Sequence, residues 1–198
     1  MADVVHIIGN GKSSGYFDHS CEGVRITCNL PPMAIDNVFA TCMVDFKMMR
    51  AIQEGSVQVN GHWVLGQRPK IHMQKHGSFY IKHSKQIREF YTELPKYVKT
   101  YTEFNCGHMA THYGCNKFSP KVCYMYGFNS IFDFDVSSST DLYMESDRSD
   151  TNNNRLVNNW RGIWPQMFKE FSDTEFRIYH KHTNSKINFP KNVKIIVP

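Results

Sequence analysis

The sequence predicts an α/β fold, a single Rossmann-like domain of three layers built on a mainly parallel sheet. An apolar strand at 4–8 runs directly into Gly9-Asn10-Gly11, the kind of turn with which such sheets meet a phosphate group. Strand-like and helix-like segments then alternate along the chain, as they do in βαβ units. At 198 residues the chain is long enough for a substantial core. We therefore expect one nucleotide-binding domain over 1–198.

The amino-terminal half alternates between apolar strands and amphipathic helices. Its predicted elements are strands at 4–8, 24–29 and 38–42, helices at 44–54 and 84–94, and an irregular crossover at 56–83. Met48, Ala51 and Ile52 recur at helical spacing, which favours the first helix. Ser84 is a favourable N-cap and Pro95 stops a helix, so these two residues bound the second.

The carboxyl-terminal half begins with a short helix and ends with strands. Its predicted elements are a helix at 106–113, a strand at 122–126, a polar loop at 129–154, a helix at 155–171 and strands at 176–179 and 193–197. Gly114 closes the short helix, and Trp160 and Trp164 belong to an apolar stripe along the long one, which Pro165 would kink. The polar loop is either a functional lid or a solvated connection. The closing strands either extend the sheet or form an edge hairpin.

Composition and charge exclude several classes of protein. The net charge of +5 and the pI near 8.8 are a weak bias toward anionic ligands and do not make nucleic acid the default partner. No run approaches the ~18 apolar residues of a membrane span, and the first residues lack the basic segment of a secretion signal. The six cysteines never form C-x-x-C, so we interpret them as reduced, structural thiols in a reducing compartment, the cytoplasm.

Spacing argues against a P-loop and against a metal site. Gly11-Lys12-Ser13 lacks the glycine that a P-loop requires five residues earlier, because His6 occupies that position. His108 and His112 have the i, i+4 spacing of a zinc helix, yet the sequence offers no obvious third ligand. His180-Lys181-His182 is explained by exposed polar positions on one strand. We therefore predict no metal site.

Four short motifs fall at the ends of predicted strands or at the start of a helix. They are Gly9-Asn10-Gly11-Lys12-Ser13, Thr27-Cys28-Asn29, Asn105-Cys106-Gly107-His108-Met109-Ala110 and Tyr126-Gly127-Phe128-Asn129. In order and approximate spacing they resemble the motifs of the sialyltransferase-like fold of bacterial family 42 glycosyltransferases and of their relatives of the motility-accessory type. The resemblance covers 4–130, about two thirds of the chain.

This resemblance implies a nucleotide-sugar site. In that family the matching asparagines and serine hold the nucleotide of a CMP-sugar, and the helix start holds its phosphate. With the glycine turn, the resemblance gives as candidate nucleotide contacts Gly9, Asn10, Gly11, Lys12, Ser13, Asn29, Asn105, Cys106, Gly107, Gly127 and Asn129. The implied function is transfer of a sugar from a nucleotide-sugar, most simply CMP-linked, to an unknown acceptor, without a metal or further cofactor. The simpler interpretation is that Gly9 and Gly11 only form a tight turn and that Asn29 caps Pro31-Pro32.

The general base is unassigned, because the family's catalytic histidine has no counterpart between 137 and 159. Asp45, just beyond the third strand, is one candidate, although an acid there also suits a helix N-terminus. His108, near the predicted phosphate contacts, is the other, although it also suits a helix surface. The acids of the polar loop, which either orient a sugar or remain solvated, are Asp133, Asp135 and Asp141.

Two other functions are consistent with these residues. A chain that kept the nucleotide site and lost the base would be a non-catalytic nucleotide-binding or sequestering module. A nucleic-acid-modifying transferase would use the basic and aromatic residues at 70–88 as a platform for its acceptor, although a solvated face explains them as well. The identity of the acceptor, saccharide or nucleic acid, and association into a homo-oligomer stay open.

Overall fold

A parallel sheet forms the centre of the molecule. The structure, a computed structural model, describes residues 2–134, 136–147 and 149–198. Its strands are Val4–Ile8 (β1), Val24–Cys28 (β2), Val38–Met43 (β3), Trp63–Leu65 (β4), Ile87–Phe90 (β5), Val122–Tyr126 (β6), Glu175–Tyr179 (β7) and Val193–Ile196 (β8). They lie in the order β5-β4-β3-β2-β1-β6-β7-β8, and every pairing between neighbours is parallel. The predicted single Rossmann-like α/β domain is confirmed, and the sheet is wholly parallel.

The strand order places a crevice at one point of the sheet. From β1 the chain builds outward through β2, β3, β4 and β5, then returns to the other side of β1 with β6. Ligands of open α/β sheets bind at such a reversal, beyond the carboxyl ends of the strands. In this chain the carboxyl ends of β1 and β6 carry Gly9-Asn10-Gly11 and Gly127.

Helices cover both faces of the sheet. They are Phe46–Gln53 (α1), Gln67–Lys75 (α2), Gly77–His83 (α3), Cys106–Phe118 (α4), Asp150–Arg161 (α5) and Ile163–Glu170 (α6). The helix α4 packs across the central strands, and Gly114 lies inside it rather than at its end. A Cβ at Gly114 would lie 3.1 Å from Ile26 and 3.2 Å from Ile7, so the absence of a side chain lets the helix approach the sheet closely.

The segment before α4 differs most from the prediction. Residues 56–83 contain β4, α2 and α3, and the predicted helix at 84–94 is replaced by the short strand β5. The Ser84 hydroxyl donates to the carbonyl of Ile81 and so closes α3 instead of starting a new helix. Backbone bonds from Trp63 to Gln86 and from Tyr91 to Leu65 hold the following residues in the sheet.

The carboxyl-terminal helix is also different. The predicted helix at 155–171 is two helices, α5 beginning earlier at Asp150, and the break is at Gly162 rather than at Pro165. Pro165 lies in the first turn of α6, where a missing amide proton costs little. β7 and β8 extend the parallel sheet rather than forming a hairpin.

The interior is apolar, with the thiols inside it. All six cysteines are free, and five of them are buried, with Cys21 half-buried. Trp63, Trp164 and Tyr113 are among the largest side chains that are fully enclosed. Within the described residues, no helix combines the length and apolarity that crossing a bilayer requires.

Candidate functional site

A cavity of about 180 Å³ lies beyond the carboxyl ends of the central strands, at the reversal of strand order. Its walls come from the ends of β1, β2, β3 and β6, the start of α4, the polar loop and the two carboxyl-terminal helices. The lining residues are Gly9, Asn10, Gly11, Cys28, Asn29, Asp45, Asn105, Cys106, Gly107, Gly127, Phe128, Asn129, Ser130, Val136, Ser137, Ser138, Thr140, Trp160 and Trp164. The structure thus brings most of the predicted contact residues to one place.

The glycine turn packs directly on the backbone that follows β6. The amide of Gly9 donates to the Tyr126 carbonyl at 2.7 Å, and that of Gly11 donates to the Gly127 carbonyl at 3.2 Å. A Cβ on Gly11 would lie 2.7 Å from the same Gly127 oxygen, and Gly127 itself has a positive φ of 80°. The glycines permit this close backbone approach. Because the backbone amides of Gly9 and Gly11 already have acceptors, the turn shapes the cavity and these two N–H groups do not face a ligand.

Ser13 and Asn129 bind each other. The Ser13 amide and hydroxyl both donate to Asn129 Oδ1, at 3.2 and 2.9 Å, while the Gly127 amide donates to the Ser13 hydroxyl at 3.1 Å. Ser13 is 5% exposed. Lys12 is exposed, and among the described residues the cavity lining includes neither Lys12 nor Ser13. Ser13 therefore supports the turn from behind rather than facing a ligand.

Asn10 and Asn29 contribute side-chain amides beyond the ends of the neighbouring strands β1 and β2. The side-chain oxygens of both residues are buried and accept no hydrogen bond from any described residue. Asn29 has a φ of 46°, a left-handed conformation that asparagine adopts more readily than most residues. The backbone N–H of Asn29 donates to the Cys42 carbonyl at 3.0 Å, which fixes the position of Asn29 beyond β2. A buried amide oxygen without a donor costs free energy, so these two atoms are suited to the donors of a ligand.

The amino-terminal end of α4 opens onto the same cavity. Asn105 is its N-cap, and its Oδ1 accepts the amide of His108 at 2.9 Å. The thiol of Cys106 donates to the Cys42 carbonyl at 2.7 Å. A Cβ on Gly107 would lie 2.7 Å from the Phe128 ring, so only glycine fits between helix and ring. The first amides of a helix have no acceptor within it, so Cys106 and Gly107 present N–H groups at the positive end of the helix dipole.

His108 does not suit the role of general base. Its ring is fully buried, stacks on Phe104 and packs against Trp164. Its Nδ1 accepts the amide of Asn105 at 3.2 Å, which completes the reciprocal cap of α4. Burial lowers the pKa of His108 to about 3, so the ring is neutral at physiological pH. The interpretation of His108 as a surface residue of the helix is therefore wrong. Because the ring lies inside the fold, it cannot contact the hydroxyl of a sugar acceptor.

Asp45 is the one carboxylate among the described residues that line the cavity. It is the N-cap residue of α1, but its side chain makes no capping bond and instead accepts from Arg68 at 2.9 Å. Although 43% of its side chain is exposed, the packing around the carboxylate raises its pKa, and the charges of Arg68 and Lys47 oppose the rise. A raised pKa brings a carboxylate closer to the range in which a general base works at neutral pH.

The polar loop covers one side of the cavity. The Ser139 amide donates to the Asn10 carbonyl at 3.2 Å, and its hydroxyl donates to the Leu30 carbonyl. Asp141 accepts from the amide of Ser138 at 2.9 Å and so caps the short helical turn Ser139–Leu142. The lid interpretation is thus the one that the position of the loop favours. Asp135 lies outside the described residues.

Two tryptophans form one wall of the cavity. The sequence predicts only that both belong to the apolar stripe of a helix. Trp160 of α5 and Trp164 of α6 line the cavity, and the Nε1 atoms of both are buried and find no acceptor among the described residues. Helical periodicity gave no sign of this role, because a ring that faces a cavity and one that faces the core recur at the same spacing.

The other histidines singled out by the sequence lie elsewhere. His112 does not join His108 in a metal site, since its Nδ1 is bonded to the Tyr91 hydroxyl at 2.7 Å and its Nε2 lies 3.2 Å from Glu170. His180 follows β7 and is fully buried, so the expectation of an exposed strand position is wrong for this residue.

No protein-family model, curated protein or solved structure matches the chain. The resemblance to family 42 glycosyltransferases therefore stays a prediction.

Proposed function

We propose that the chain binds a pyrimidine nucleotide, most simply the CMP part of a nucleotide-sugar, and transfers the sugar to an acceptor hydroxyl. One observation carries the proposal. At the reversal of strand order, one cavity unites the start of a thirteen-residue helix with the buried amide oxygens of Asn10 and Asn29, which accept no hydrogen bond within the described part of the chain. A helix start favours an anion, and unpartnered oxygens favour groups that donate hydrogen bonds. A nucleoside monophosphate carries both.

In this proposal the phosphate meets α4 rather than the glycine turn. The amides of Gly9 and Gly11 are already bonded to carbonyls, whereas those of Cys106 and Gly107 are the first of their helix. The Cys106 thiol is turned toward a carbonyl, so contact with the phosphate rests on the backbone. These donors also stabilise the negative charge that the phosphate gains when it leaves the sugar.

The nucleoside part would lie against the two asparagines. An exocyclic amine of cytosine or a ribose hydroxyl supplies the donors that Asn10 and Asn29 lack. A volume of about 180 Å³ is smaller than the roughly 300–1,000 Å³ of pockets that enclose a complete small-molecule ligand. The cavity therefore holds part of the donor, and the transferred sugar would extend past the lid toward solvent.

Transfer would use Asp45 as the general base. The acceptor oxygen forms a bond to the anomeric carbon as the bond from that carbon to the phosphate oxygen breaks, and the phosphate keeps the electron pair. The acceptor proton passes to the carboxylate of Asp45, whose raised pKa favours its acceptance. Arg68, at 2.9 Å, holds the carboxylate in place.

A non-catalytic nucleotide-binding module is the second candidate. It is favoured by the same Arg68 contact, because a carboxylate tied to an arginine is a weaker base than an untied one. The nucleic-acid platform has less support, since Lys70 and Arg88 lie over the rings of Phe90 and Phe39 in the same chain.

The first experiment measures nucleotide binding by calorimetry with CMP, UMP, AMP and GMP. We expect CMP or UMP to bind, and Asn29→Gly to weaken that binding about tenfold, the effect of losing one or two hydrogen bonds. Glycine tolerates the positive φ of 46° at this position, so the variant removes the amide without adding backbone strain. Asn60→Ala, at an exposed residue whose side-chain oxygen accepts from Gln58, is the control. Equal affinity of wild type and Asn29→Gly would contradict the assignment of the cavity.

The second experiment measures release of the sugar from a CMP-sugar. Asp45→Asn should keep nucleotide affinity and lower turnover by a factor of about a hundred or more, the usual contribution of a general base. Nucleotide binding by the wild type without turnover of any donor would establish the non-catalytic module instead.

A further inference from the structure

A second cluster of polar side chains lies where the polar loop meets the segment after β7. It consists of Asp133, His180 and His182, whose ligand atoms all lie within 4.8 Å of one another. Asp133 Oδ2 is 3.7 Å from His180 Nε2, and its Oδ1 is 3.5 Å from His182 Nε2. These separations exceed ordinary hydrogen-bond lengths, so the three side chains converge without bonding to each other.

The His180 ring is fully buried and its Nε2 has no hydrogen-bond partner among the described residues. The ring stacks on Phe132 with the centroids 3.9 Å apart and the planes 5° apart, which fixes its orientation. Its Nδ1 lies 3.3 Å from the carbonyl oxygen of His182 and 3.4 Å from the backbone nitrogen of the same residue. When Nδ1 carries the proton and donates to that carbonyl, the lone pair of Nε2 is directed at Asp133.

This arrangement has the features of a metal site. Ligating histidines commonly donate their second ring nitrogen to a backbone carbonyl, as the Nδ1 of His180 is placed to do. Two ligands at ~2.1 Å from a tetrahedral ion are ~3.4 Å apart. The distances from the two Asp133 oxygens to the histidine nitrogens, 3.5 and 3.7 Å, need to shorten by only a few tenths of an ångström, and all the ligand atoms lie within 4.8 Å of one another.

We propose that Asp133, His180 and His182 bind a first-row divalent metal ion of the zinc class. Two imidazoles and one carboxylate suit Zn²⁺ or Co²⁺ better than Mg²⁺ or Ca²⁺, which prefer oxygen ligands. With three protein ligands, the fourth position is left to water or to a group of a bound molecule. This proposal does not depend on the nucleotide cavity, whose lining contains none of the three residues.

A bound ion would fasten the base of the lid. The amide of Asp133 donates to the carbonyl of Asn129, a residue that lines the cavity, and Arg161 donates to the carbonyls of Ser130 and Asp133 at 2.8 Å. His180 and His182 come from the sheet side. The ion would therefore join the first residues of the polar loop to the end of β7.

Lys181 provides a discriminating variant. Its ammonium lies 3.7 Å from Asp133 Oδ2, where it competes with a cation for the carboxylate, and its side chain is 64% exposed. Replacing Lys181 with methionine removes the competing charge and keeps much of the side-chain length. If Asp133 binds a metal ion, the affinity should rise.

The test is titration of the metal-stripped protein with Zn²⁺ by calorimetry, and with Co²⁺ by visible absorption. We expect one ion per chain, a cobalt spectrum with the intensity of four-coordinate geometry, and a loss of at least tenfold in affinity for Asp133→Asn and His182→Gln, as for loss of a ligand. Lys181→Met should bind more tightly than wild type. Since Asp133 and His182 are partly exposed, both variants should fold, which the circular dichroism spectrum checks.

The control is His76→Gln, because His72 of α2 and His76, which follows that helix, are another close pair of imidazoles, with centroids 4.3 Å apart. This variant should bind metal as the wild type does. The proposal is overturned if no ion binds, if binding survives in Asp133→Asn, or if His76→Gln is the variant that loses it.

Discussion

The buried position of His108 leads to a prediction about stability that can be worked out from the structure. In the unfolded chain a histidine has a pKa of about 6.5, whereas burial lowers that of folded His108 to about 3. Between these values the unfolded state binds one more proton than the folded state, so the free energy of unfolding falls as the pH falls. The part of the unfolding free energy that depends on neutral His108 is fully present above the pKa of the unfolded state and is lost progressively as the pH falls below it.

The expected magnitude follows from the two pKa values. When the pH is lowered from about 7.5 to about 5, His108 becomes almost fully protonated in the unfolded state but stays neutral in the folded state. At about 1.36 kcal/mol per unit, the loss from this residue alone is about 2 kcal/mol. That is a large fraction of the roughly 5–15 kcal/mol that stabilises a typical domain.

The assay is urea unfolding of wild type and His108→Gln at the two pH values. Glutamine at the third helical position also completes a reciprocal cap with Asn105, so the start of α4 is retained. We expect the loss of unfolding free energy on acidification to be about 2 kcal/mol smaller in the variant. His62→Gln, at an exposed histidine, should behave as the wild type does. An identical loss in wild type and His108→Gln would refute the inference that the ring is buried in the neutral form.

Two further predictions concern the turn and the base. Gly11→Ala would place a Cβ 2.5 Å from Asn129 Oδ1, so it should lower the free energy of unfolding by about 2 kcal/mol. Gly15→Ala is the control, because a Cβ there would have no atom within 4 Å, and it should change the free energy of unfolding by less than about 0.5 kcal/mol. Thermal or urea unfolding measures both values. Arg68→Gln removes a charge that lowers the pKa of Asp45, so the rise of transferase activity with pH should move to higher pH; an unmoved profile would exclude Asp45 as the base.

The central strands could be predicted from the sequence, and the edge of the sheet could not. β1 and β6 are mainly apolar runs, each followed by a glycine. A parallel strand that is buried on both faces typically has such a near-continuous apolar sequence. In β5, Ile87 and Phe90 are spaced as on a helix, and the strand is only four residues long. Its backbone bonds to residues around β4 decide the conformation, and pairing between distant segments is not written in local periodicity.

The location of the candidate site was predictable for a similar reason. Polar and glycine residues that follow successive parallel strands must meet at one edge of the sheet, so Asn10, Asn29 and Gly127 come together. The detailed roles were not predictable. Whether Ser13 faces a ligand or Asn129 depends on which donors and acceptors distant segments bring into contact. The wall of Trp160 depends likewise on how α5 returns to the sheet.

In the proposed function, the geometry assigns anion binding to the start of α4 rather than to the glycine turn. A strand followed by Gly-Asn-Gly predicts a turn whose own backbone amides hold a phosphate. In this structure, however, the backbone amides of Gly9 and Gly11 donate to the carbonyls of Tyr126 and Gly127. The turn keeps the close approach that glycine allows and uses it to seat β1 against β6. An anion that enters the cavity is left with the first amides of α4, which carry the positive end of a thirteen-residue helix. The same glycines thus specify the shape of the cavity, and the helix specifies its charge.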